Sequence, residues 1–186
     1  MYTDIIFPGG NEKEFLDMAA KLGYSGIVFA YKRISDIPDL KTSSKIKILI
    51  GLLAEEKDIQ KAKKHADIVL VKSSGNDRWV LEKSQADILF GLEEASRKDF
   101  MHHRASGLNQ VLCKIASKKG KTIGFSFSSI LKYDGMHRAQ IIGRIMQNVR
   151  FCRKYKVKTI LASFAQSPYE IRAPKDMISF GKIVGL

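Results

Sequence analysis

Cysteine, proline and tryptophan are scarce in this 186-residue chain, which holds two Cys, four Pro and one Trp. Two thiols, Cys113 and Cys152, do not make a disulfide scaffold, and the composition reads as that of a reduced, intracellular protein. Long hydrophobic runs are missing too. The longest, such as 48–54, fall far short of the roughly 18 residues that a membrane span needs. The opening Met1-Tyr2-Thr3-Asp4-Ile5-Ile6-Phe7 has neither a basic stretch nor an apolar run long enough for a signal peptide. The expectation is a soluble, cytoplasmic protein without membrane contact. Apolar residues as such are not lacking. At 45% of the chain they exclude wholesale disorder, and the length suits a single domain over 1–186.

Carboxylates are the scarcer charge. Lys plus Arg number 32 and Asp plus Glu 19, a net charge of +13. The excess is one-sided: residues 1–92 hold 14 cations and 13 carboxylates, whereas residues 93–186 hold 18 and 6. Charge kept only for solubility would intersperse both signs. A one-sided excess fits a basic face that tracks phosphates, so the expected partner is a nucleic acid, with an anionic membrane surface as the other polyanion. Drift of solvent-facing positions to Lys explains scattered lysines, but it explains the dearth of carboxylates after Glu94 less well.

Seven short β-branched or apolar runs predict strands at 3–7, 26–30, 45–52, 67–72, 87–90, 122–126 and 159–164. Ile68-Val69-Leu70-Val71 and Ile160-Leu161-Ala162 are apolar throughout, the pattern of strands buried on both faces in a parallel sheet. Apolar spacing predicts helices at 12–22, closed by Gly23, and at 55–65, 108–118, 136–155 and 174–184. On the longest, Ile141, Ile142, Ile145, Met146, Val149 and Cys152 form one stripe. Strand–helix alternation means an α/β fold, and spacing alone allows either a closed barrel or an open sheet. The polar stretch 91–106 reads as a long loop, of the kind that carries function.

Barrel enzymes place their chemistry on the loops after strands. Of His65, His102, His103 and His137, none stands beside Asp4 on the first strand, so no His-x-His pair exists there, and nothing supplies the other ligands for the adjacent His102-His103. Metal-dependent hydrolysis needs several such ligands converging. Gly9-Gly10 matches neither a dinucleotide fingerprint nor a phosphate loop. Ser126-Phe127-Ser128-Ser129 lacks the glycine context of a nucleophile elbow. Cys113 and Cys152 read as buried inert thiols, and Trp79 as packing rather than base stacking.

What the second half offers is a basic constellation. Arg97, Lys98, His103 and Arg104 lie in one polar stretch with Phe100 among them. Ser106-Gly107 is expected to open the next helix and offer its free N–H groups to a phosphate, with Gln110, Lys114 and Lys118 along the polar face. Gln140, Gly143, Gln147, Arg150 and Lys154 share a polar arc on the long helix, and Arg172 and Lys175 flank Pro174. Together they read as a phosphate-contacting surface.

The order of these motifs resembles the archaeal ribonuclease P protein component 3 family, relatives of the thirty-kilodalton subunit of the eukaryotic enzyme. The resemblance rests on Arg97-Lys98-Asp99, His103-Arg104 and Ser106-Gly107-Leu108-Asn109-Gln110-Val111-Leu112-Cys113-Lys114. It continues through Ile123-Gly124-Phe125-Ser126-Phe127-Ser128, Arg138 and Arg144, and Arg172-Ala173-Pro174-Lys175-Asp176. It implies a TIM-barrel-like fold related to metal-dependent phosphoesterases but without their metal site. It also implies a subunit that is non-catalytic alone and pairs with ribonuclease P protein component 2, as a heterodimer or heterotetramer. With the other protein subunits, the pair would assist the ribonuclease P RNA, which uses Mg²⁺ to remove the 5′ leader of precursor tRNA; contact with precursor tRNA would be indirect. The expected RNA contacts are Arg97, Lys98, His103, Arg104, Lys114, Lys118, Arg138, Arg150, Lys154, Arg172 and Lys175. The alternative is a barrel hydrolase of the metal-dependent phosphoesterase type.

Overall fold

The computed structural model describes residues 2–38, 46–94, 98–99 and 101–186. Seven strands follow one another around the sheet in sequence order: β1 (Thr3–Ile6), β2 (Gly26–Tyr31), β3 (Lys47–Leu53), β4 (Ile68–Lys72), β5 (Ile88–Phe90), β6 (Thr122–Ser126) and β7 (Lys158–Ala162). Every neighbouring pair is parallel. The first and last strands also meet, through a single parallel bridge between Ile6 and Ala165. Beside it Phe7 N donates to Ala165 O at 2.8 Å. The sheet is therefore a nearly closed barrel, which decides between the two architectures that spacing left open.

A buried side chain reinforces that seam. Asp4 Oδ1 accepts from Ser163 N at 2.7 Å and from Ile5 N at 2.9 Å, and its Oδ2 accepts from Ser163 Oγ at 2.6 Å. Burial raises the Asp4 pKa, and the bonds from Ser163 and Ile5 only partly offset that.

Strand residues alternate between two apolar environments. Ile5, Val28, Ala30, Leu70, Ile88 and Ala162 fill the barrel interior, while Ile6, Ile27, Phe29, Val69, Leu89 and Phe125 pack beneath the outer layer. That is why the strands read as nearly continuous apolar runs.

The outer layer consists of α1 (Glu12–Leu22), α2 (Ile59–Ala62), α3 (Asp77–Lys83), α4 (Gln110–Lys119), α5 (Ser128–Lys132), α6 (Gly135–Lys154) and α7 (Pro174–Val184). The apolar stripe of α6 buries Ile141, Ile145, Val149 and Cys152. Cys152 and Cys113 on α4 are both buried free thiols. The expected helix at 55–65 shrinks to a 3₁₀ turn and α2, because only Ile59 and Ala62 of those elements find cover. Two short helices, α3 and α5, were not foreseen; α3 buries Val80 and Leu81, with Trp79 half-buried against the core. Among the described residues no helix is long and apolar enough to cross a membrane.

Candidate nucleic-acid interface

Parallel topology sorts the connections. Loops after strands gather at the C-terminal end of the barrel, and helix C-termini gather at the N-terminal end. At the C-terminal end three rings fill the mouth. Phe90 and Phe164 stack with centroids 4.6 Å apart, and Phe7 lies 6.1 and 6.0 Å from them. A cavity of about 420 Å³ above them is bordered by Lys32, Lys72, Lys132, Ser126 and Ser128. Lys72 pairs with Glu94 at 2.7 Å. The serines are engaged with one another and with backbone: Ser126 and Ser128 Oγ lie 2.9 Å apart, and Ser129 Oγ donates to Ser126 O at 2.7 Å. Among the described residues no group of three or more His, Cys, Asp or Glu is placed to hold a metal ion.

After β5, the described residues Glu93, Asp99, Arg104 and Ser106 bond to α6. Arg144, 2% exposed, donates from Nε to Asp99 Oδ1 at 2.9 Å and from Nη1 to the Glu93 carbonyl at 3.1 Å. Gln147 Nε2 donates to Arg104 O and Ser106 Oγ at 2.9 and 2.7 Å, and Asn148 Nδ2 donates to Ser106 O at 2.8 Å. Gly143 leaves room for a guanidinium: a Cβ there would sit 2.5 Å from Arg104 Cζ. Burial pushes the Asp99 carboxyl up, but the Ala105 N–H and the Arg144 guanidinium outweigh it and hold it below its ordinary value. The arc of Gln140, Gly143 and Gln147, expected to face phosphate, is thus largely occupied in holding the loop.

Ser106 and Gly107 also serve the loop, and they do not open the helix. α4 begins at Gln110, where the Asn109 side chain accepts from Leu112 N at 3.0 Å. Ser106 is buried. Gly107 has φ +80°, and a Cβ would meet the Leu92 carbonyl oxygen at 2.6 Å. Glu93, which the sequence reading passed over, is fully buried beside them. Its Oε1 lies 3.5 Å from Ser126 N, its Oε2 has no hydrogen-bond partner, and burial pushes its pKa up to about 7. The Arg144 guanidinium takes the Glu93 carbonyl and not its carboxylate.

The expected RNA contacts divide between the two ends. Arg97, with Phe100, lies outside the described residues. Lys98, His103, Arg104 and Lys175 are exposed at the C-terminal end. Arg138 is exposed there too, but its Nε is held by the Ile130 and Tyr133 carbonyls at 3.0 and 2.7 Å. Arg172 donates from Nη1 to the carbonyls of Tyr169 and Ile171 at 2.8 and 3.1 Å. Lys114 and Arg150 lie along the flank, and Lys118 and Lys154 at the N-terminal end. The 20 residues of α6 span about 30 Å between the ends. Lys118, at the far end of the 10-residue α4, is set apart from the loop after β5, while Lys114 lies between the two ends. Lys119, Lys156 and Lys158, which the sequence reading left out, join Lys118 and Lys154 at the N-terminal end; the pair Lys118-Lys119 and the spacing Lys154-x-Lys156-x-Lys158 were the available signal.

Comparison with known proteins agrees with this architecture. The family model described as RNase P subunit p30 matches residues 9–186. The chain is 32% identical over 182 residues to ribonuclease P protein component 3 of Methanosarcina mazei, covering 94% of this chain and 74% of that protein. It is 29% identical over 187 residues to the same component of Methanosarcina acetivorans, with the same coverage. Its fold is similar, with a TM-score of 0.79, to a chain in the cryo-EM structure of archaeal ribonuclease P with mature tRNA; identity is 23%, covering 97% of this chain and 82% of that one.

Proposed function

Since the chain belongs to the RNase P subunit p30 family, we propose that it acts as a protein subunit of ribonuclease P, assisting the 5′ maturation of precursor tRNA. The observation that carries this is the family match across residues 9–186. The protein's part is electrostatic. Cations neutralise RNA phosphates, so that the catalytic RNA reaches its active fold at lower Mg²⁺. The exposed Lys98, Lys114, Lys118, Arg150, Lys154 and Lys175 are suited to this, because they are not held by the carbonyl bonds that engage Arg138 and Arg172. The hydrolase reading finds no metal-donor set among the described residues, and Phe7, Phe90 and Phe164 occupy the mouth where it would act.

Protein component 2 is the expected protein partner, and the C-terminal end suits a protein surface. Met101, Met136 and Tyr169 are 94%, 86% and 81% exposed there, and Met and Tyr are residue types enriched in interfaces. The test is reconstitution of the catalytic RNA with the other protein subunits, with and without this chain, across a Mg²⁺ series. Adding the chain lowers the Mg²⁺ needed to cleave precursor tRNA. An unchanged requirement, or phosphodiesterase turnover by the purified chain alone with a stoichiometric transition metal, contradicts the proposal.

A further inference from the structure

We infer that the RNA backbone is gripped at the N-terminal end of the barrel, by the lysine-rich sector around the C-termini of α4 and α6. This rests on the RNA-binding role proposed above and locates it away from the mouth where barrels ordinarily bind ligands.

The sector is continuous. Ser117 Oγ on α4 donates to the Lys156 carbonyl at 3.4 Å, so Lys118 and Lys119 lie beside the turn that follows α6. Lys158 opens β7 directly opposite Thr122 of β6. Lys118, Lys119, Lys154, Lys156 and Lys158 are all exposed, and among the described residues none of them forms an ion pair. From 100 to 133 and from 135 to 169 the chain carries no carboxylate. Asp87, whose field reaches neighbouring Lys121, is itself taken by Lys63 Nζ at 2.6 and 2.7 Å.

Helix dipoles favour cations at C-termini, which accounts for Lys118, Lys119 and Lys154 without any partner. Lys156 and Lys158 need another reason. α1, α4 and α7 each end on a glycine in the left-handed region: Gly23, Gly120 and Gly185. Just past the end of α6, the residue with left-handed φ is Lys156, at +54°. The same type of closing bond is present, from Val157 N to Cys152 O at 2.9 Å. A side chain at this position is strained, and glycine would relieve that strain. Retaining lysine there sacrifices stability for a cation at the centre of the sector, as expected where strain is tolerated for binding. Phosphate is the group that a cluster of ammonium ions without ion-paired carboxylates recognises, and RNA supplies it as a repeating track.

The experiment measures binding of a labelled RNA hairpin by the full chain at several salt concentrations. Three variants are compared: Lys156→Gly, a triple variant Lys118→Glu/Lys156→Glu/Lys158→Glu, and a control at the opposite end, Lys32→Glu/Lys132→Glu. Lys156→Gly raises the melting temperature by about 2–4 °C yet weakens binding and flattens the salt slope by about 0.7–0.9. The N-terminal triple variant loses most of the affinity, while the control keeps it. If the control loses affinity and the N-terminal variants do not, RNA is held at the mouth and the inference is overturned. If the N-terminal variants bind the hairpin normally but fail to bind component 2, the sector is a protein interface and the inference is again overturned. Failure of the wild type to bind the hairpin sinks the RNA-binding role and this inference together.

Discussion

The two ends of the barrel use polar side chains in opposite ways. At the C-terminal end they are largely turned inward: Arg144, Gln147 and Asn148 hold the loop after β5, and Arg138 and Arg172 donate to carbonyls. At the N-terminal end Lys118, Lys119, Lys156 and Lys158 project without ion pairs among the described residues. Hydrogen-bonded polar groups fix shape, whereas unpaired cations lower stability slightly and leave charge available to a partner. Basic character read from sequence therefore has two meanings in this molecule, and only burial and bonding separate them.

That contrast implies that substitutions of the bonded polar residues at the C-terminal end act on stability and those of the unpaired lysines at the N-terminal end on RNA affinity. The largest effect is expected for Arg144→Ala. It strands the Glu93 carbonyl and removes the guanidinium from Asp99. That carboxylate is 21% exposed and keeps its bond from Ala105 N, so the cost lies at the low end of that for breaking a buried pair, about 3 kcal/mol. Urea unfolding measures it, and a loss below about 1 kcal/mol would mean that the loop does not depend on α6.

Next comes Glu93→Gln, read against pH. Burial raises the folded-state pKa from 4.5 to about 7, so the native state holds its proton more tightly than the unfolded chain. The contribution of this group to stability is fully present below about pH 4.5 and is lost as pH rises through about 7. The difference corresponds to about 3 kcal/mol. Glu93→Gln removes that decline, so the variant gains over wild type at pH 8 and changes little at pH 4. Parallel pH profiles for the two proteins would show that Glu93 is not the source.

A smaller change of opposite sign is expected for Lys156→Gly, a gain of about 1 kcal/mol from relief of left-handed strain. A lower melting temperature for this variant would remove the strain argument. The smallest is Lys158→Ala, which should stay within about 0.5 kcal/mol of wild type while lowering the salt dependence of RNA binding.

The barrel was legible because its causes are local. Buried parallel strands write continuous apolar runs, and Gly23, Asn109 and Pro174 mark helix ends by their backbone preferences. The short helices α3 and α5 escaped because seven and five residues carry too little periodicity to register. Closure of the sheet was not legible in the spacing and came only from the family resemblance, because the seam joins residues as far apart as Ile6 and Ala165, or Asp4 and Ser163, which are 159 residues apart. The interface was half legible. The charge asymmetry pointed to a polyanion, but Ser106, Gly107 and the Gln140–Gln147 arc look the same in sequence whether they face phosphate or a folded-back loop. Lys156 escaped for a different reason. A lysine in a basic chain signals nothing until its φ is known.

Lysine reactivity in the assembled particle tests the account most directly. Reconstituted ribonuclease P and the free chain would be treated with a lysine-acylating reagent, and the modified positions quantified by mass spectrometry. The account predicts strong protection of Lys118, Lys119, Lys156 and Lys158 that is lost when the RNA is digested, with Lys32 and Lys132 at the mouth indifferent to the RNA. Protection by RNA of Lys32 and Lys132, with the N-terminal lysines as reactive as in the free chain, would contradict it.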